Sequence, residues 1–246
     1  MDSFEAPTIF STTIGLLGDI HSEDQRLAQA LAFFSEQGIA TILSTGDIVD
    51  GPGDPNRCIS LLQDHNVLCV RGNHERWLLN NQTRHIPMAH TLEDLTPSSL
   101  DYLATLPVTR WIDIAGETIL LCHGIDQQDM AKVWPGSDRM PAERNETLDH
   151  IIDEGRCQWL INGHLHFRTL LAFEGMTLLN AGTLTGSRWP GFMTLALESQ
   201  QIDIYEFRDS KIEHLRQVSA APEPIWKNTQ SFDGQWDPLA LASPLT

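Results

Sequence analysis

The sequence contains no long apolar segment. A helix that crosses a membrane needs roughly 18 or more consecutive apolar residues, and no such run occurs among the 246 residues. Residues 1–10 have neither a basic start nor a long apolar run, which argues against a secretory signal peptide. We therefore expect a protein without a membrane partner.

Cysteine is also scarce. The four cysteines are Cys58, Cys69, Cys122 and Cys157, and no two of them form a Cys-x-x-Cys pair. This usage is typical of a cytoplasmic protein whose thiols are reduced and mostly buried. We therefore expect a cytoplasmic location.

Basic residues are outnumbered by acidic ones. The chain has 16 Lys and Arg residues against 33 Asp and Glu residues, a formal net charge of −17. Such a surface repels polyanions, so a basic clamp for long nucleic acid is excluded. A small phosphate-bearing substrate stays compatible with this charge if a metal supplies positive charge locally. Nothing in the pattern indicates the oligomeric state.

The composition is otherwise that of a globular protein, with 41% hydrophobic and 20% charged residues. Its first part alternates short apolar runs with segments of helical periodicity. The predicted strands are 12–18, 41–45 and 67–71, and the predicted helices are 22–37, with Ser22 as N-cap, and 56–65. This order predicts βαβ units and a largely parallel sheet, whose strand ends meet at one edge.

The second part is richer in strands. Helices are predicted at 97–106 and 143–154, and strands at 110–114, 117–122, 159–162, 167–173, 176–180, 193–197 and 202–207. We therefore predict an α/β (α+β) fold, a four-layer αββα sandwich in which helices flank two mixed sheets. Residues 1–219 form the single predicted domain. Residues 220–246 are expected to be an extended or disordered tail, unless Trp226, Phe232 and Trp236 attach it to the body.

Residues of metal-ligating type follow the predicted strands at five places. Each group lies beside a glycine or forms a His-x-His pair: Asp19 and His21, Asp47, Asn73 and His74, His123, and His164 with His166. A lone His or Asp at such a position is usually an ordinary loop or turn residue. Five such strand ends together predict a metal site at the carboxyl edge of the sheets. Mixed imidazole and carboxylate ligands favour Mn, Fe, Co, Ni or Zn over Ca or Mg.

Five blocks in this order resemble the calcineurin-like metallophosphoesterase superfamily. They are Gly-Asp-Ile-His (18–21), Gly-Asp-Ile-Val-Asp-Gly (46–51), Gly-Asn-His-Glu (72–75), Cys-His-Gly (122–124) and Gly-His-Leu-His (163–166). The resemblance extends from about residue 12 to 207. Asn-Ala-Gly-Thr (180–183) is similar to the Asn-Pro-Gly-Ser loop of the small bacterial phosphodiesterase branch, with Ala and Thr substituted.

The resemblance implies a site for two divalent ions, with manganese expected first and Fe, Zn, Ni or Co as alternatives. One ion would be held by Asp19, His21 and His166, the other by Asn73, His123 and His164, and Asp47 would bridge them. The implied reaction is in-line attack of a metal-bridging hydroxide on a small phosphoester. By the same resemblance His74 is the general acid, and Asp50 orients it unless Asp50 is a plain turn residue.

One position departs from two related branches. Protein Ser/Thr phosphatases and dinucleoside tetraphosphatases carry an arginine where this chain has Gly51, so a dianionic monoester would lose a cationic contact here. A phosphodiesterase is therefore predicted, with dinucleoside polyphosphate hydrolase or protein phosphatase-like monoesterase as alternatives. A catalytically silent scaffold and a structural metal protein are the non-enzymatic alternatives.

Other residues have weaker assignments. Arg76, Arg84 and Arg188 either contact substrate or are solvated, and Trp77 and Trp189 either stack on a base or pack. The histidines outside the blocks are assigned to surface or core: His65, His85, His90, His150 and His214.

Overall fold

The computed structural model describes residues 12–82, 85–86, 88–236 and 241. The helices are α1 (Asp24–Glu36), α2 (Pro55–Asp64), α3 (Asn73–Leu79), α4 (Pro97–Thr105) and α5 (Glu146–Glu154). The strands are β1 (Thr13–Leu17), β2 (Ile42–Ser44), β3 (Leu68–Cys69), β4 (Thr109–Ile114), β5 (Glu117–Cys122), β6 (Trp159–Asn162), β7 (Thr169–Phe173), β8 (Met176–Asn180), β9 (Gly191–Ala196), β10 (Gln201–Arg208), β11 (Lys211–Ser219) and β12 (Ile225–Trp226).

The strands form two six-stranded mixed sheets. The first has the order β11-β10-β9-β1-β2-β3 and the second the order β12-β7-β8-β6-β5-β4. In the first sheet β1, β2 and β3 pair in parallel, with Leu16 opposite Leu43, whereas β1 and β9 are antiparallel. In the second sheet β5, β6 and β8 are parallel, and β4 is antiparallel to β5.

Alternation along the strands divides the apolar side chains between layers. Leu16 and Leu43 belong to the core between the two sheets, together with Ile161 and Leu179 of the second sheet. The outer face of the first sheet is covered by apolar residues of α1, α2 and α4, and that of the second sheet by residues of α5 and the C-terminal segment. The predicted four-layer αββα sandwich is therefore confirmed.

Most predicted elements are present with ends within two residues of the prediction, but one predicted N-cap and two helix assignments need correction. The N-cap of helix α1 is Glu23 rather than the predicted Ser22, whose backbone is left-handed with a φ of 55°. Helix α5 begins at Glu146 rather than residue 143. Glu143 pairs its backbone with Trp134, and Asn145 caps the helix by accepting a hydrogen bond from Leu148 N at 2.9 Å. Helix α3 was not predicted.

The sequence patterns also miss β11. This edge strand pairs with β10, and all of its residues are exposed or half-buried. Its charged sequence therefore has no apolar alternation to signal a strand.

The segment after residue 219 packs on the body as far as the structure describes it. Strand β12 pairs in parallel with β7, and Trp226 and Phe232 are buried against the outer face of the second sheet. Trp236 contacts Trp134, with ring centroids 4.7 Å apart. The aromatic residues thus attach this segment, as the alternative prediction has it. Residues 237–240 and 242–246 of the predicted tail lie outside the described residues, and the domain boundary at 219/220 stays a prediction.

Across the described residues, no helix combines the length and the apolar character that crossing a membrane requires.

Candidate metal centre

The predicted ligands lie where strands of both sheets end. Asp19 follows β1 and Asp47 follows β2, while Asn73 begins α3 just after β3. In the second sheet His123 follows β5, and the His-x-His pair follows β6. Since these are the carboxyl ends of the strands, the fold brings the five blocks to one edge.

The backbone at this edge is strained. His21, Asp47, Asp50, His164 and His166 have positive φ values of 46°, 47°, 64°, 69° and 55°. Such values are uncommon for residues with a side chain and concentrate at functional sites. Two glycines make room for the carboxylates, because a Cβ atom on Gly72 or Gly163 would collide with Asp47 or Asp19, respectively.

A first group of candidate ligand atoms comes from Asp19, His21, Asp47 and His166, all within 4.8 Å of one another. The Nε2 atoms of His21 and His166 are 2.9 Å apart. His166 Nε2 lies 3.2 Å from Asp19 Oδ2, and His21 Nε2 lies 3.9 Å from Asp47 Oδ2.

A second group adjoins the first and shares Asp47 with it. Atoms of Asp47, His123 and His164 again lie within 4.8 Å of one another. His123 Nε2 is 3.2 Å from Asp47 Oδ2 and 2.9 Å from Asn73 Oδ1. All seven residues that the resemblance assigns as ligands are therefore brought together.

The hydrogen-bond chemistry of the two groups fits bound cations. His21 Nδ1 lies 2.9 Å from the Asp50 carbonyl oxygen, and His123 Nδ1 lies 2.7 Å from that of Thr45. Because carbonyls only accept, both Nδ1 atoms carry protons, and in the neutral rings both Nε2 atoms present lone pairs. Asp19 Oδ2 is buried and accepts no hydrogen bond from any described residue. A cation satisfies such a cluster of electron-pair donors.

The pKa values of these side chains are also shifted in ways that suit a bound cation. Burial raises the pKa of Asp19 to about 7, although His123 opposes the rise. Burial, reinforced by His21, lowers the pKa of His166 to about 4. At His123 burial lowers the pKa, but the Asp47 carboxylate outweighs it and raises the pKa to about 10. A cation bound beside Asp47 would replace that proton as the positive partner of the carboxylate.

Glu75 holds the loops of this edge together, a function that the sequence patterns do not assign. Its side chain is fully buried and accepts hydrogen bonds from four backbone N–H groups. The donors are Asp47 and Gly72 at 3.0 and 2.9 Å, and Ile48 and Val49 at 2.6 and 3.1 Å. Its place in the Gly-Asn-His-Glu block was the available signal. One carboxylate thus fixes both the Asp47 loop and the start of α3.

His74 and Asp50 are in contact, as the resemblance implies. His74 Nδ1 donates to Asp50 Oδ2 at 2.6 Å, and His74 Nε2 lies 3.8 Å from Asp47 Oδ2. Burial lowers the pKa of His74, but the bond to Asp50 and the charge of Asp47 outweigh it, so the pKa is raised. His90, which the sequence patterns assign to surface or core, also contacts Asp50.

The residues with weaker assignments are mostly engaged elsewhere. Arg76 makes a bidentate ion pair with Asp129, at 2.5 and 3.0 Å, so its guanidinium is already neutralised. Arg188 is exposed, and Arg84 lies outside the described residues. Trp77 packs against His74 with ring centroids 4.9 Å apart, and Trp189 packs against Phe167 at 5.4 Å.

The other histidines have varied surroundings. His214 pairs with Asp203 at 2.7 Å on the β10–β11 hairpin, and His150 is exposed on α5. His65 is half-buried just after α2, and His85 is exposed.

Comparisons with known proteins agree with this fold. An uncharacterised protein of Methanocaldococcus jannaschii is 27% identical over 178 residues, which cover 70% of this chain and 69% of that protein. A hypothetical protein of Pyrococcus horikoshii has a similar structure, with a TM-score of 0.60, 15% identity, and coverage of 84% of this chain and 88% of that one. For a metallophosphoesterase of Sphaerobacter thermophilus the TM-score is 0.59 and the identity 18%, with coverage of 84% and 89%.

A sequence profile gives the assignment. The profile of the calcineurin-like phosphoesterase superfamily domain matches residues 13–200, which include all five blocks and the 180–183 loop. The chain therefore belongs to the calcineurin-like phosphoesterase superfamily.

Proposed function

We propose that this protein is a metal-dependent phosphodiesterase that hydrolyses a small phosphodiester. The observation that carries the proposal is the convergence of seven ligand-type side chains in two adjoining groups that share the Asp47 carboxylate. A single structural ion would need only one group of about four ligands. A shared carboxylate between two groups is the arrangement of two-metal hydrolases.

In the proposed site Asp19, His21 and His166 would hold one divalent ion, and Asn73, His123 and His164 would hold a second. Asp47, which belongs to both groups of side chains, would serve both ions. Manganese is proposed first, with Fe, Zn, Ni or Co as alternatives, because the ligands mix imidazole nitrogen with carboxylate and amide oxygen. When bound, such ions lower the pKa of a water molecule and neutralise the oxygens of a phosphate. Glu75 serves this site by holding the Asp47 loop in its left-handed conformation.

His74 is proposed as the general acid that protonates the leaving oxygen. Its Nδ1 proton is held by Asp50, so the ring orientation is fixed and Nε2 is left to carry the transferable proton. The carboxylates of Asp50 and Asp47 favour the protonated ring. Positioned acids of this kind contribute roughly 10²–10⁴ in rate.

The preference for a diester is inferred from two positions that offer no free guanidinium to a phosphate. A dianionic monoester calls for a guanidinium beside the phosphate. Gly51 supplies none, and the Arg76 guanidinium is committed to Asp129. A diester carries one charge and needs less compensation. The net charge of −17 also disfavours a polyanionic substrate, so the diester is expected to be small.

The proposal is tested with bis-p-nitrophenyl phosphate, Mn²⁺ and purified protein, with a parallel reaction that contains chelator. We expect turnover that chelator abolishes and that added divalent metal restores. A panel of monoesters, cyclic nucleotides and dinucleoside polyphosphates with several divalent ions then defines the substrate. Turnover that chelator leaves unchanged would contradict the proposal, and metal binding without any turnover would indicate the silent scaffold.

A further inference from the structure

Asp50 contacts three histidines: its carbonyl oxygen accepts from His21 Nδ1, its carboxylate accepts from His74, and His90 provides two further contacts. The backbone N–H of His90 donates to Asp50 Oδ1 at 2.7 Å. The backbone N–H of Asp50 donates to His90 Nδ1 at 3.0 Å. The other carboxylate oxygen, Oδ2, accepts from His74 Nδ1 at 2.6 Å. His90 thus forms hydrogen bonds with both the backbone N–H and the carboxylate of Asp50, the residue that orients His74.

The side chain of His90 stabilises an unfavourable backbone. Asp50 has a φ of 64°, a left-handed conformation that is uncommon for a residue with a side chain. Its N–H group in this conformation has His90 Nδ1 as acceptor, in a part-buried position. Because Nδ1 accepts, the neutral ring carries its proton on Nε2. Without this acceptor the N–H would lose its partner and the conformation would lose one of its constraints.

We propose that His90 is a positioning residue that acts on His74 through Asp50, so that the three side chains form one ordered unit. The inference rests on the proposed function, in which His74 is the general acid. The segment that carries His90 lies between α3 and α4, outside the five blocks that supply the proposed metal ligands. Its packing therefore completes the acid side of the site without contributing a ligand.

The structure argues against a role in packing alone. If His90 only filled space, a residue of similar bulk would replace it, and no acceptor at the position of Nδ1 would be required. The observed contact instead uses one specific ring nitrogen. The carboxylate orientation that it supports is the one in which Oδ1 and Oδ2 each accept a separate hydrogen bond.

The test compares His90→Leu, which keeps bulk but has no acceptor, with His90→Asn, which places an amide oxygen near the position of Nδ1. His150→Leu on the exposed face of α5 is the control for a lost histidine. Each variant is assayed with bis-p-nitrophenyl phosphate, which has a good leaving group, and with diphenyl phosphate, which has a poor one. We expect His90→Leu to lower kcat for diphenyl phosphate about 10-fold more than for the nitrophenyl ester, a fraction of the roughly 10²–10⁴ that an acid supplies. KM is expected to change little, and His90→Asn to retain most of the activity.

A second measurement does not depend on activity. The proton between His74 Nδ1 and Asp50 is observed by NMR in the metal-free protein, as a downfield signal assigned by its loss in His74→Asn. We expect the signal in the wild type and in His90→Asn, and its weakening or upfield shift in His90→Leu. If His90→Leu does not fold, His90→Gln replaces it, because its amide oxygen extends beyond the position of Nδ1.

The possible failures are distinguishable. If the wild type hydrolyses neither ester, the proposed function fails. If it hydrolyses both and His74→Asn selectively slows diphenyl phosphate, while His90→Leu matches the wild type in rate and NMR signal, only the inference about His90 fails. Equal loss with both esters in folded His90→Leu, or failure of His90→Asn to restore the selectivity, would also overturn it.

Discussion

The strands whose side chains fill the core between the two sheets differ in character from the loops at their carboxyl ends. The strands bury apolar side chains, and the loops bury charged ones. Leu16, Leu43 and Leu179 are fully buried in extended backbone and contact other apolar side chains. A few residues beyond the same strands, Asp19 and Asp47 are equally buried but carry carboxylates, and Asp47 has a left-handed backbone. Burial of the strand side chains stabilises the fold, whereas burial of the loop carboxylates costs free energy.

This difference shows how the fold accommodates the unfavourable backbone conformations of the loops. Each left-handed residue costs roughly 1–2 kcal/mol, and His21, Ser22, Asp47, Asp50, His164 and His166 are all left-handed. A typical domain is stable by only about 5–15 kcal/mol. The loops are therefore held in place by the apolar strands that precede them and by polar clamps such as Glu75. Substitutions in the loops should impair function first, and those in the strands stability first.

The largest effect is expected for Asp47→Asn, which tests the loop side of the comparison. Loss of the shared carboxylate charge weakens both proposed ion sites, so kcat/KM for bis-p-nitrophenyl phosphate should fall at least about 10³-fold. The metal-free variant should still fold cooperatively, as measured by circular dichroism. Asp101→Asn, on the exposed surface of α4, is the matched control and should retain full activity. Activity within a few fold of wild type would contradict the shared role of Asp47.

A smaller and selective effect is expected for His74→Asn. Without an acid, a poor leaving group suffers more than a good one, so kcat for diphenyl phosphate should fall roughly 10²-fold or more. The loss with bis-p-nitrophenyl phosphate should be much smaller, and metal content should be unchanged. Equal loss with both esters would show that His74 is not the acid.

The strand side of the comparison is tested by Leu16→Ala. Truncation of a fully buried leucine between the sheets should lower the free energy of unfolding by about 2–5 kcal/mol. Denaturant unfolding measures this change, and activity per folded molecule should stay close to that of the wild type. Ile225→Ala, at a side chain that is 54% exposed, is the control and should cost far less. A large activity loss in fully folded Leu16→Ala would break the division between strands and loops.

The smallest effect is expected for Arg188→Ala. This residue is exposed, and a diester needs less cationic compensation than a monoester. Steady-state kinetics with bis-p-nitrophenyl phosphate should therefore show less than about a twofold change in kcat/KM, which corresponds to roughly 0.4 kcal/mol. A selective increase in KM of tenfold or more would instead assign Arg188 to substrate binding.

The sequence predicted the strand ends well because two local signals coincide there. Short apolar runs mark the strands, and the glycine-flanked polar residues after them mark the loops. Parallel pairing then brings Asp19, Asp47 and Asn73 to one edge without further information. The four-layer architecture follows from the same runs, because both apolar faces of each sheet must be covered, one by the other sheet and one by helices.

The features that were not predicted from the sequence depend on how the loops run between the helices and strands, and on contacts between distant residues. His90 reaches Asp50 from a segment without apolar periodicity, and the Arg76–Asp129 pair joins residues that are distant in sequence. Strand β11 has charged residues on an exposed edge, so no alternation signals it. Helix α5 starts late because Glu143 pairs with Trp134, a contact that local propensity does not contain.

The proposed site would bind two cations at this edge of the sandwich, and both would depend on Asp47. Calorimetric titration of the metal-free protein with Mn²⁺ tests it most directly, with Asp47→Asn titrated in parallel. We predict two ions per wild-type chain and clearly weaker binding at both sites in the variant. No binding to the wild type, or a single ion whose affinity Asp47→Asn leaves unchanged, would rule out the proposed two-ion site.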